Sequence, residues 1–260
     1  MPGLSIPSPP DAVPGDVTGV LRALLDDDPG GPRLTWYGPG GERVELSSRV
    51  LDNWVAKTAN LLTVEFDAGP ATRVAIALPA HWRTATWLLA TWSTGACAVP
   101  VPVGGPVPPD VDVLVACDPR VLGEAPEGAL PIGVALGALA TSFGPGLPDG
   151  AVDAAVDVRS HGDVFLPFVT PGTDDPALDD DGNLLTHGDL IPAARRAADE
   201  TGLPPRARLL AGGGPGAAVT ELLAPLARLG SVVLIHDLDR ADPSALARLR
   251  AQENVTAPPA

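Results

Sequence analysis

Lysine is almost missing from this chain. Of 17 basic residues among 260, only Lys57 is a lysine; the rest are arginines. Chemistry that needs an ammonium group has that one candidate, and helical spacing turns Lys57 away from the apolar stripe, toward solvent. Cysteine is scarce as well. Cys97 and Cys117 stand in apolar surroundings, the pattern of buried free thiols in a cytosolic protein rather than of a disulfide framework. A basic excess is absent: the net charge is −15 and the pI about 4.4, which excludes nucleic acid and anionic membrane surfaces as partners. No apolar run reaches the ~20 residues of a membrane span. Residues 1–16 lack the basic start and apolar centre of a secretory signal, so the expected location is cytoplasmic. No Gly-x-Ser-x-Gly elbow occurs, and His81, His161, His187 and His236 show no metal-ligand spacing.

What is there is a core. Hydrophobic residues make up 45% of the chain, too many for a disordered one despite 29 glycines and 31 prolines. Asp16 is placed to cap a short helix with Val17, Val20, Leu21, Leu24 and Leu25 on one stripe; Asp26 to Asp28 read as its solvated end. Leu34–Tyr37 and Arg43–Leu46 flank a Gly/Pro turn as a hairpin, and Ser47 or Ser48 opens a long helix to about Val64. Arg73–Leu78, Ala96–Val101, Asp112–Cys117 and Ile132–Leu136 read as buried parallel strands, with a tryptophan-rich helix from His81 to Ser93. Further on come helix Gly188–Thr201, strand Arg208–Ala211, helix Ala217–Leu229, strand Ser231–His236 and helix Pro243–Gln252. Alternation of strand and helix predicts an α/β fold of mostly parallel sheets with flanking helices.

One stretch carries the functional question. The apolar run Val164–Val169 reads as a strand entering Thr170-Pro171-Gly172-Thr173; five aspartates follow (Asp174, Asp175, Asp179, Asp180, Asp181), then Thr186-His187-Gly188-Asp189 opens a helix. Strand, small-residue loop and helix N-terminus together form a common anion cradle. Here the loop brings carboxylates where a phosphate wants N–H groups and a lysine. The Asp179–Asn183 run fails calcium-loop spacing, because Gly188 stands where the twelfth-position glutamate belongs. A second glycine-rich turn, Gly212 to Ala217, follows a strand and opens a helix, with Asp237 or Asp239 beyond the next strand. That is the layout of a dinucleotide fingerprint, although glycines in such turns are common without any ligand.

The order of the pieces resembles the N-terminal half of the adenylate-forming superfamily: acyl-CoA synthetases, peptide-synthetase adenylation domains and luciferases. Val44-Glu45-Leu46-Ser47 is similar to the opening "Y-x-E-L", Arg73 to Pro79 (RVAIALP) to "D-R-V-A-I-x-L-P-N", and Trp92 to Val101 to "K-A-G-A-V-x-V-P-L". Thr170 to Thr173 lies where "T-S-G-S/T-T-G-x-P-K-G" belongs, and Leu185 to Leu190 resembles "x-S/T-H-x-N-L". Leu222–Leu234 and Asn254-Val255-Thr256 are similar to "L-L-x-G-A-x-V-V-L…x-V-T". Within the superfamily the resemblance is greatest to a short actinobacterial group of acyl-CoA-synthetase-like proteins.

The resemblance implies a nucleotide loop at Thr170, Gly172, Thr173 and His187, with ATP and Mg as cofactors if that loop still works. The departures argue against it. Pro171 has no N–H, the Thr-Gly that should follow is Asp174-Asp175, and the lysine is replaced by Leu178 or, aligned on Pro176, by Ala177. A carboxylate close to a phosphate is unfavourable by ~4 kcal/mol at an effective dielectric of ~20, against ~8 kcal/mol for a micromolar affinity. The family's second half, with its adenine pocket, magnesium glutamate and adenylation lysine, has no counterpart in the sequence. The expectation is a truncated, catalytically inactive homologue with no assigned catalytic or metal-binding residue. It would bind a small carboxylate or acyl ligand, a protein partner or a second copy of itself. Two alternatives stand beside it: half of an ATP-dependent carboxylate-activating ligase completed by another chain, and a dinucleotide-binding protein. The expected organisation is a leader and short helix at 1–33, the α/β domain at 34–256 (layers 73–190, and 34–66 with 203–256), and a tail at 257–260.

Overall fold

A computed structural model describes residues 14–257. The leader expected before residue 14 and the tail at 258–260 lie outside the described residues. Helix α1 (Val17–Asp27) starts where Asp16 accepts the Gly19 N–H at 2.6 Å, and it buries Val17, Val20, Leu21 and Leu24. At its acidic end Asp26 and Asp28 are exposed as expected, but Asp27 is not. Asp27 accepts from Arg33 at 2.7 Å and Arg206 at 2.5 Å, which ties the helix to two distant segments.

Strands β1 (Pro32–Tyr37) and β2 (Arg43–Ser47) form the hairpin, and Ser47 caps α2 (Ser48–Phe66) through the Val50 N–H. Then come β3 (Arg73–Ala77), α3 (Trp82–Thr94), β4 (Cys97–Pro100), β5 (Val113–Ala116), α4 (Pro119–Gly123), β6 (Leu130–Gly133), β7 (Val152–Asp153) and α5 (Ala154–Asp157). Strands β8 (Pro176–Asp180) and β9 (Asn183–Thr186) precede α6 (His187–Glu200) and β10 (Arg208–Ala211). After β10 the single helix expected over 217–229 is broken into a 3-10 turn, a π-helical stretch (Ala218–Leu223) and the short α7 (Ala224–Leu226). The chain continues through β11 (Ser231–Ile235) to α8 (Pro243–Gln252).

The strands make two sheets. One has the order β10-β11-β1-β2, the other β7-β6-β5-β3-β4-β8-β9. Pairing is parallel except in the β1–β2 and β8–β9 hairpins. Helix α3 packs on strands of both sheets, and every one of its residues is buried. Two indoles fix it in place. Trp36 donates to Ala80 O at 3.0 Å just before the helix, and Trp92 donates from its last turn to Ala177 O at 2.8 Å on β8. Truncating an anchor of this kind to alanine typically costs about 3–5 kcal/mol.

Two further local expectations fail. Val164–Val169 is not a strand: it crosses the surface without pairing, with Leu166 and Phe168 78% and 82% exposed. Lys57 does not face open solvent; it is half-buried and its ammonium donates to the His161 carbonyl at 2.5 Å.

Candidate functional site

The segment from Thr170 to Gly188 is a turn followed by a hairpin. Asp181 (φ 52°) and Gly182 (φ 82°) form a two-residue loop between β8 and β9, both in the left-handed region that a type I′ turn requires. Three of the five aspartates, Asp179, Asp180 and Asp181, are thereby committed to the hairpin. Asp179 accepts from Arg73 at 2.8 Å and from the Gly182 N–H at 3.0 Å. Asp180 lies on the strand, where burial first, then the neighbouring Asp181 and Asp179, raises its carboxyl above the usual range. The positions matching the family lysine are interior strand positions: Ala177 is fully buried and Leu178 nearly so.

The turn holds its own anion. The Asp175 carboxylate accepts the Gly172 N–H at 2.7 Å, and Gly172 O accepts the Asp175 N–H at 3.2 Å. Backbone bonds from His187 N to Asp175 O and from Gly188 N to Thr173 O, both 2.9 Å, bind the turn to the start of α6. A Cβ on residue 188 would lie 2.9 Å from Thr173 O, so this approach requires glycine. Thr186 caps the helix with Asp189, which accepts the Thr186 O–H at 2.8 Å.

His187 is buried, and its Nε2 sits 2.9 Å from Gly95 O, at the C-cap of α3. Burial lowers its imidazole pKa despite that bond and the nearby Asp175. A neutral ring donating Nε2–H to a carbonyl is a fastener between α3 and α6.

All four residues expected at the loop — Thr170, Gly172, Thr173 and His187 — line one cavity of about 470 Å³. Its other walls come from Asp16 and Val17 at the start of α1, Trp92 and Ser93 at the end of α3, Pro167, and Leu190 of α6. The walls are largely apolar and the volume suits a small organic ligand. The role of α1 here had no sequence signal, because nothing in the chain links positions 16 and 170. Among the described residues, no group of three or more His, Cys, Asp or Glu side chains is arranged to hold a metal ion.

The second glycine-rich turn lines a different cavity, with Gly213, Gly214 and Ala217 beside His81 and Leu88. Glu221, on the π-helical stretch, accepts the Gly212 N–H at 3.1 Å and the Gly213 N–H at 2.7 Å. A Cβ on residue 212 would lie 2.2 Å from the Leu238 Cβ. Packing thus demands the glycine, and a side-chain carboxylate takes the donors a pyrophosphate would use. Among the described residues, no helix is long and apolar enough to cross a membrane.

No protein-family model matches the chain. A "TIGR03089 family protein" of Mycobacterium tuberculosis (strain ATCC 25618 / H37Rv) is 39% identical over 247 residues, covering 91% of this chain and 95% of the relative. Among solved structures, an acyl-CoA synthetase of Brucella canis superposes with a TM-score of 0.74 at 15% identity, over 92% of this chain and 46% of its own. A fatty acyl-adenylate ligase of L. pneumophila, in complex with acyl adenylate and pyrophosphate, gives 0.69 at 12% identity, over 94% and 44%. NpsA-ThdA, an artificially fused adenylation and carrier di-domain from Klebsiella oxytoca, gives 0.68 at 18%, over 94% and 42%. This chain therefore spans under half the length of these structures, and at such identities the likeness is one of fold. By its sequence the chain belongs to the TIGR03089 family, and its fold is that of the N-terminal domain of adenylate-forming enzymes.

Proposed function

We propose that this chain is a non-adenylating relative of the acyl-CoA synthetases that holds an acyl or carboxylate ligand in the cavity beside Thr170–Thr173. One observation carries the reading: the Asp175 carboxylate already occupies the Gly172 N–H, in a turn without a lysine. A triphosphate brought there would have to displace a bonded carboxylate and then lie against its charge. An apolar tail meets no such opposition from Val17, Trp92, Pro167 and Leu190.

The test is calorimetric titration with ATP and Mg²⁺, together with pyrophosphate release over a panel of carboxylic acids. No heat and no pyrophosphate are expected, whereas Trp92 emission should respond to saturable addition of a medium-chain fatty acid. Micromolar ATP binding or turnover by this chain would overturn the reading.

The exposed run Val164–Val169 favours a second reading, in which a protein partner or a second copy of the chain covers the cavity mouth. Sedimentation of the protein at increasing concentration tests self-association.

A further inference from the structure

The cavity beside Thr170–Thr173 offers a carboxylate no positive side chain. Among the described residues no arginine or lysine lines it. His187, its one basic side chain, is kept neutral by burial, with Nε2 fastened to Gly95 O. The charge on the wall is negative. Asp16 stands there with Oδ1 bonded to the Gly19 N–H at 2.6 Å and the Thr18 O–H at 2.9 Å, while among the described residues Oδ2 accepts nothing. Asp16 and Asp175, the carboxylate folded onto Gly172, both act on the His187 ring through their charge, so two anions border one space.

Backbone donors that could answer a carboxylate are spent. The Gly19 N–H, in the first turn of α1, goes to Asp16, and the Gly172 N–H goes to Asp175. The His187 and Gly188 N–H groups, which open α6, donate to Asp175 O and Thr173 O. What remains suits an uncharged head. Thr170 and Thr173 are exposed on the wall, and among the described residues their hydroxyls are unbonded. A hydroxyl donates to a carbonyl without requiring charge, and the free Asp16 oxygen accepts an N–H.

We propose, resting on the reading of this cavity as an acyl site, that its ligand has an uncharged head: an acyl chain already joined through an amide or ester, in preference to the free acid. Val17, Trp92 and Leu190 take the chain, and Thr170 and Thr173 take the carbonyl. A carboxylate in the same place loses its water, gains no counter-charge and lies in the field of Asp16. The ligand is therefore a product of acyl transfer, not the acid from which an adenylation begins.

The test is calorimetric titration of the unaltered protein with octanamide and with octanoate, which share a chain length and differ in charge. Octanamide should bind at least ~10-fold more tightly, a difference of ~1.4 kcal/mol. Asp16→Asn keeps a capping acceptor for α1 and should narrow that ratio. Should the variant not fold, raising the ionic strength from ~0.1 to ~1 M, which shortens the screening length from ~10 to ~3 Å, should narrow the same ratio in the unaltered protein. Octanoate binding as tightly as octanamide, or a ratio that neither change moves, overturns this inference and leaves the acyl reading standing. Binding by neither compound overturns both.

Discussion

Asp175 is to Gly172 what a bound anion is to an amide cradle: its carboxylate lies 2.7 Å from the N–H that the turn presents. Removing it should loosen the turn and leave the amide to solvent. Asp175→Ala should destabilise the protein by about 1 kcal/mol, the ordinary value of a charge-assisted cap. Urea unfolding measures this, and an unchanged midpoint would show that the contact holds nothing in place.

His81 predicts how stability follows pH. Its Nδ1 accepts the Arg83 N–H at 3.0 Å as the cap of α3; burial, then the charge of Arg83, brings the imidazole down to about 3. An unfolded histidine titrates near pH 6.5. Between those values the unfolded chain takes up a proton that the folded chain refuses, so stability falls as pH drops through 6.5 toward 3. The slope contributed is at most ~1.4 kcal/mol per pH unit. His187, also lowered, acts in the same direction. His81→Asn keeps a capping acceptor and should flatten the slope; unfolding at pH 7, 6 and 5 compares the two proteins.

Glu253 titrates in a lower window. Burial would raise its carboxyl, but hydrogen bonds from Arg43, Tyr37 and Arg208 outweigh that and bring it to about 2, against an ordinary 4.5. Its contribution is therefore complete above pH 4.5 and is lost as pH falls from there toward 2. Because Glu253 joins the end of α8 to β1, β2 and β10, Glu253→Gln should cost about 3 kcal/mol by leaving Arg208 without its partner. Limited proteolysis should then cut first around α8, and an unaltered cleavage pattern would remove this account.

The glycine of the second turn predicts a rescue. Gly212→Ala drives a Cβ into Leu238 and should cost about 1–3 kcal/mol by overpacking. Leu238→Gly in the same chain, which removes the Cβ that residue 212 would meet, should return most of it. A double-mutant cycle gives the coupling, and additivity would mean that the glycine is needed for another reason. NADH fluorescence should stay flat in all four proteins.

Much of the fold is legible in the sequence because its strands are short apolar runs between clear helical stripes. RVAIA, CAVP and VLVA fall into neighbouring parallel strands as their composition requires. The candidate loop reads less well. Asp181-Gly182 is a strong hairpin signal, yet five clustered aspartates look like one acidic loop until β8 is seen to pair with β4 through Leu178 and Ala98. Phe165 to Val169 has the composition of a strand and no strand to join, which no local pattern reveals. Asp27 is the opposite case: its partners, Arg33 and Arg206, are 6 and 179 positions away, and only tertiary structure brings them together.

Helix α3 touches both sheets and shows no face to water along its whole length. Its amide hydrogens therefore have no local route to deuterium, because fraying would have to pull both sheets off the helix together. They should exchange last, at a rate set by global unfolding, while those of α8, which buries no residue of its own, should exchange early.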